Sequence, residues 1–142
     1  MDIDKEKIKK RFSEINRAVK EIKNISAIPD KDFWAEKKNI AALKYYLLQA
    51  IEAVGNISAH IVAKVYNLGI SSFGECFDVL EKESIFDDVF ILKLRQMVKF
   101  RNRLVHEYWD VDDKKVLDFA RKDVGDFKDF IKLIDEQFLK QI

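Results

Sequence analysis

Apolar residues recur along most of this chain at intervals of three and four, the spacing that lines one face of an α-helix. Ile8, Phe12, Ile15, Val19 and Ile22 predict a first helix over about residues 4–25. Pro29, in Ser26-Ala27-Ile28-Pro29-Asp30, interrupts the pattern, because proline lacks an N–H and disfavours helix in the residue before it. Ile40, Leu43, Leu47, Ile51, Val54, Ile57, Ile61 and Val65 predict a longer second helix from near Asp32 to about Leu68. Gly55 lies inside it, where glycine is about 1 kcal/mol worse than alanine. It either admits a close neighbour or marks a bend. Gly69 is the expected stop.

Ser72-Phe73-Gly74-Glu75 reads as a capping box that starts a short helix to about Lys82. Asp87 and Asp88 open a fourth helix, acidic at its start and basic towards its end as the helix dipole favours, which runs to near Tyr108. Asp110-Val111-Asp112-Asp113 caps a fifth, with Val116, Ala120, Val124, Phe127, Ile131, Ile134 and Phe138 facing inward. Together these elements predict an all-α fold, an antiparallel bundle of four to five helices forming one domain over residues 1–142.

Composition narrows the function more than the fold. Four glycines and one proline in 142 residues fit long helices better than turn-rich sheet. A net charge of +1 gives no global attraction to nucleic acid, so any such binding must rest on local clustering. The single cysteine, Cys76, excludes an internal disulfide and reads as a buried small hydrophobe. The charged N-terminus and the lack of any apolar run near the roughly 18 residues of a membrane span predict a cytoplasmic protein with no membrane association. No glycine-rich phosphate loop, nucleophile elbow or dinucleotide fingerprint is present, which leaves ATP hydrolysis and dehydrogenase chemistry without support.

One stretch carries candidate chemistry: Arg101-Asn102-Arg103-Leu104-Val105-His106-Glu107-Tyr108, which holds one of the two histidines. It closes a run from Ile91 to His106 with five basic residues, Lys93, Arg95, Lys99, Arg101 and Arg103, and no acidic one. At about 100° per residue, Phe90, Leu94, Met97, Leu104 and Tyr108 surround Arg101, which therefore sits in the middle of the apolar stripe. Asn102, His106 and Arg95 lie together on its flank. A buried arginine needs a partner or an anionic ligand. For Arg101 the plain reading is an ion pair within the bundle, with Glu52 or another acid of the second helix. The plain reading of His106 is a helix-terminal histidine bonded to a backbone carbonyl. Tyr108 alone reads as a core or interface aromatic, Asn102 as a partner for His106, and the basic run as a solvated face. The other histidine, His60, falls among Ile57, Ile61 and Val65 and reads as a packing or interface residue. Two histidines without a carboxylate at ligand spacing do not make a metal site.

The arrangement Arg101-x4-His106-x-Tyr108, with Asn102 after the arginine, resembles the signature of HEPN domains, and more narrowly that of the HepT-like ribonuclease toxins of prokaryotic toxin–antitoxin pairs. Residues Ala50 to Ile61 are similar to that family's long second helix, and Ser72 to Phe77 with Leu80 to its short third. Met97 to Phe100 lead into the octet as in the family, and Val111-Asp112 follow it, so the likeness covers about residues 40–120. Asn56 stands where the family is expected to carry aspartate.

The resemblance implies a homodimer whose two octets meet in a cleft and cleave RNA without metal or other cofactor. In it Arg101 and His106 are catalytic, and Asn102, Tyr108, Arg95, Lys99 and Arg103 support RNA binding. It also implies a cognate nucleotidyltransferase antitoxin as partner, with Tyr108 as the residue modified by AMP. A non-catalytic nucleotide- or RNA-binding module, or a partner subunit of a nucleotidyltransferase, is the alternative the same residues allow. A helical dimerisation protein with an incidental motif is the third.

Overall fold

In the computed structural model, which describes residues 2–140, the bundle is organised around one long helix. The first helix, α1 (Lys5–Ser26), starts at Asp4, whose side chain accepts a hydrogen bond from the Lys7 N–H, and buries Ile8, Phe12, Ile15, Ala18 and Ile22. The predicted second helix is in fact two. A short α2 (Asp30–Ala35) follows Pro29, and Glu36 then adopts an extended conformation before α3 (Lys37–Val65). The Asn39 side chain bridges the break by donating to the Phe33 carbonyl at 3.1 Å. Phe33 is fully buried, so α2 is a hook that turns one aromatic into the core. α3 ends at Val65, earlier than Gly69 suggests. Asn67, with φ 55°, takes the left-handed position that closes a helix, a conformation asparagine tolerates.

α4 (Phe73–Lys82) is capped by Ser72, whose hydroxyl accepts from the Glu75 N–H. The return bond of the predicted box shifts by one residue, since Glu75 accepts from the backbone N–H and hydroxyl of Ser71. α5 (Asp88–His106) starts at the Asp87 cap. The predicted last helix is again divided, into α6 (Asp113–Asp123) and α7 (Gly125–Ile134), with only Val124 between them and in helical geometry. The chain then widens into a single π turn, Asp135–Leu139. Among the described residues the five expected helices are thus seven, with the all-α architecture kept.

α3 packs against α1, α4, α5, α6 and α7, and most of its apolar stripe is buried. Phe33, Phe77, Phe127 and Phe130 are among the largest fully buried side chains, each contributing about 1.5–3 kcal/mol. Cys76 is buried, and desolvation, with Glu75 adding to it, pushes its thiol up to about 11. No helix among the described residues is long and apolar enough to cross a membrane.

Gly55 is a place of close approach and not a bend: a Cβ there would overlap the ring of Phe73 at the start of α4. α3 runs through it unbroken.

His60 has a specific structural duty. Its Nε2 accepts a hydrogen bond from the Asp4 N–H at 3.0 Å, holding the start of α1 to α3. Burial lowers its pKa below 6.5, reinforced by Lys7 and Lys64 and opposed by Asp4. Below pH 6.5 the unfolded chain therefore binds more protons than the folded one. This contribution is complete above that pH and declines as the pH falls through the lowered folded value. The Tm is expected to fall more between pH 7.5 and pH 5.5 in the wild type than in His60→Gln, which keeps an acceptor that does not titrate. Parallel melting curves would remove this role from His60.

Candidate functional site

The candidate octet begins in α5 and outlasts it. The apolar stripe of α5 buries Phe90, Leu94, Met97 and Leu104 against the bundle. The helix stops at His106, where the Glu107 N–H bonds the Arg103 carbonyl at 2.8 Å and the backbone of Glu107 leaves helical geometry. Tyr108 therefore does not ride on the helical stripe. It starts a single 3₁₀ turn, Tyr108–Asp110.

Arg101, in the middle of the stripe, is half-buried, with 26% of its side chain exposed. Its Nε donates to Glu52 Oε1 on α3, the ion pair that spacing offered as its plain reading. A terminal nitrogen donates to Asn102 Oδ1 at 3.0 Å, and the guanidinium lies 5.4 Å from the centroid of the Phe73 ring. Three elements thus fix one cation: α3 by charge, α4 by an aromatic face, and α5 by the adjoining amide. A cavity of about 330 Å³, walled by Ser71 to Gly74, Val98, Arg101 and Asn102, opens beside it.

The other octet residues fall in different surroundings. Asn102 is exposed and serves Arg101 within this chain, not His106. The exposed His106 has no side-chain hydrogen bond among the described residues, so it is not the carbonyl-bonded helix end of the plain reading. Tyr108 is 37% exposed. Lys44 of α3 sits 4.5 Å from the centroid of its ring, and the Trp109 ring stands perpendicular to it with 5.2 Å between centroids.

The five cations of the basic run divide in two. Lys93 pairs with Asp126 at 3.4 Å, and Arg95 is held by Asp78 at 2.6 Å and by Glu81 at 3.0 Å on α4. With Arg101 on Glu52, three of the five are neutralised locally. The unit field expected from the sequence is reduced to Lys99 and Arg103, which face a separate groove beside α6. Arg95 in particular is committed to α4.

Sequence spacing missed three residues of this neighbourhood. Lys44 is only 8% exposed, bonds Asp113 Oδ1 at 2.8 Å and positions Tyr108. Its signal was a lysine at core spacing between Leu43 and Leu47. Phe73 supplies the shelf for Arg101, signalled only by its place after the Ser72 cap. Trp109, 91% exposed, is the most exposed large apolar side chain described and stands next to Tyr108.

Comparison with known proteins gives the family and the fold. Residues 15–134 match the family model described as ribonuclease HepT-like. No curated protein sequence matches. Among solved structures, the tri-AMPylated HEPN toxin of Shewanella oneidensis in complex with MNT antitoxin superposes with a TM-score of 0.84 at 22% identity, over 92% of this chain and 98% of that one. A toxin–antitoxin complex with AMP-PNP gives a TM-score of 0.83 at 22% identity, covering 90% of this chain and 97% of that one. YutE, a cytosolic protein of unknown function from Bacillus subtilis, gives 0.80 at 18% identity over 99% and 96%. At these identities the structural likeness carries the fold.

Proposed function

The chain belongs to the ribonuclease HepT-like family, and from that premise we propose that it is a metal-independent endoribonuclease toxin acting at a homodimer cleft and neutralised by a nucleotidyltransferase antitoxin. The observation that carries the reading is the pairing of Arg101, held ready on three elements, with an unencumbered His106 five residues on, at the open end of α5.

The chemistry follows from the residue types. His106 takes the proton of a ribose 2′-hydroxyl as the oxygen attacks the adjacent phosphorus. The bond from phosphorus to the 5′-oxygen breaks, and that oxygen leaves with a proton. The products are a 2′,3′-cyclic phosphate and a 5′-hydroxyl. One imidazole cannot be base and acid in the same step, so the second copy of His106 in the dimer supplies the leaving proton. Arg101 neutralises the charge that gathers on the phosphoryl oxygens, for which a forked guanidinium is suited. Asn102 keeps that fork oriented.

Neutralisation uses Tyr108, whose hydroxyl makes no hydrogen bond among the described residues. Its oxygen attacks the α-phosphorus of ATP bound to the antitoxin, the phenolic proton passes to water, and pyrophosphate leaves. The attached AMP brings negative charge and bulk to a cleft that must receive an anion. The tri-AMPylated state of the Shewanella toxin in complex with MNT antitoxin supports AMP transfer as the means of neutralisation.

The test is the product of the reaction. Purified protein incubated with RNA and a chelator is expected to leave fragments ending in 2′,3′-cyclic phosphate and to spare a strand lacking 2′-hydroxyls. The Glu52 pair, which already neutralises Arg101, favours one second reading, a module that binds RNA without cutting it. RNA bound and recovered whole would select that reading.

A further inference from the structure

We infer that the groove between α5 and α6 holds a single-stranded RNA backbone leading to the His106 end of α5, an inference that takes the identity of its polyanion from the ribonuclease reading. The groove has a volume of about 580 Å³. Lys99 and Arg103 stand on its α5 wall, and Lys115 and Lys122 on its α6 wall. None of these four makes an ion pair among the described residues, in contrast to Lys93, Arg95 and Arg101 of the same run. Cations without carboxylate partners on two facing walls are what tracks a phosphodiester strand.

The floor is aromatic. The rings of Phe100 and Phe119 stack at 4.7 Å with 7° between their planes, and both side chains are half-buried. Their open edges give unpaired bases an apolar surface, whereas a duplex keeps its bases stacked inside. The direction of the groove matters as much as its lining. Arg103 lies one helical turn before His106, and the far wall ends at Val111 and Asp112, directly after the turn that carries Tyr108. A strand in the groove is thereby delivered to the octet.

Three carboxylates also border the groove: Asp112, Asp118 and Asp123. Asp112 caps α6, accepting from the Lys114 N–H at 3.0 Å. Asp118 and Asp123 oppose the cations, which gives the proposal a second sign to check.

The experiment uses a fluorescein-labelled, fully 2′-O-methylated single strand of about 16 nucleotides, which cannot be cleaved, and reads affinity by anisotropy across a salt series. Lys115→Glu/Lys122→Glu is expected to weaken binding about tenfold or more. It should also lower the slope of log affinity against log salt by about 1.4, at about 0.7 for each phosphate that a lysine no longer neutralises. Asp118→Asn/Asp123→Asn is expected to tighten binding. Lys9→Glu/Lys10→Glu, the same charge change on α1, is the control and should have little effect.

Equal loss in the α6 variant and the control, or loss in neither, would overturn the groove. So would a change of oligomeric mass in the α6 variant, which would make the groove a subunit contact. The two readings fail separately. Strand binding that depends on Lys115 and Lys122, with natural RNA left uncut, keeps the groove and refutes the ribonuclease. Natural RNA cut, with affinity indifferent to those lysines, does the reverse.

Discussion

Replacing His106 with alanine is expected to slow metal-free RNA cleavage by about two to four orders of magnitude while leaving the melting temperature unchanged. Both halves of that expectation come from the same observation. The imidazole is exposed and holds no hydrogen bond among the described residues, so the fold loses nothing with it. General acid–base catalysis, by contrast, loses the imidazole proposed to move the proton. Arg101 offers the contrast. Arg101→Ala leaves the Glu52 carboxylate without its partner and strips the Phe73 ring, so activity and stability should fall together. Arg101→Lys keeps a positive charge beside Glu52 but removes the fork, and is expected to lose about 10²–10³-fold in rate with the fold retained. Cleavage rates of a labelled RNA, read beside thermal melts, separate these three patterns. Wild-type rates in His106→Ala would remove the imidazole from the chemistry.

The second large effect is expected one side chain removed from Arg101, at Gly55. Gly55→Leu should destabilise the protein by about 1–3 kcal/mol, the range for overpacking a filled core, although leucine favours helix over glycine by nearly 1 kcal/mol. The added atoms would enter the space of the Phe73 ring, which lies between α3 and α4. Because that ring is also the shelf of Arg101, cleavage should fall in the fraction that remains folded. Chemical denaturation of Gly55→Leu, Phe73→Ala and the double variant tests the overlap directly. The double variant should be more stable than the sum of the two single losses predicts. Simple additivity would mean that the two side chains do not compete.

The helical stripes were legible because burial acts on every turn. Ile8, Phe12 and Ile15 on α1 and Leu43 to Ile61 on α3 face the core as their spacing requires. The break at Glu36 was not legible, since Phe33 and Ile40 are apolar on both sides of it and one extended residue leaves no mark on the period. Val19 fits the stripe of α1, yet Ala18 is the residue that is fully buried, while Val19 packs against the edge of the core.

At the site, spacing nominated residues and one partner, Glu52 for Arg101, which the structure bears out. The choice of α4 for Arg95 is made by neighbours distant in sequence, and Asn102 turns to the adjoining Arg101 instead of to His106. Tyr108 was misplaced for a more local reason. Counting by 100° assumes that the helix continues, and the backbone turns out of it at Glu107.

The carboxylate already seated on Arg101 bears on competition among anions. A bare guanidinium facing solvent would be filled by whichever small anion is most abundant, and chloride, inorganic phosphate or a free nucleotide would block it. With Glu52 seated on its Nε, an incoming phosphate would meet a guanidinium whose charge is already shared with a tethered carboxylate that is never diluted away. A short ligand has nothing else to offer in that exchange. A long strand does, because contacts made along its length add to the one made at the arginine. On the proposed ribonuclease reading, entry would then be decided by chain length, with the abundant small molecules of a cell at a disadvantage against an extended polymer.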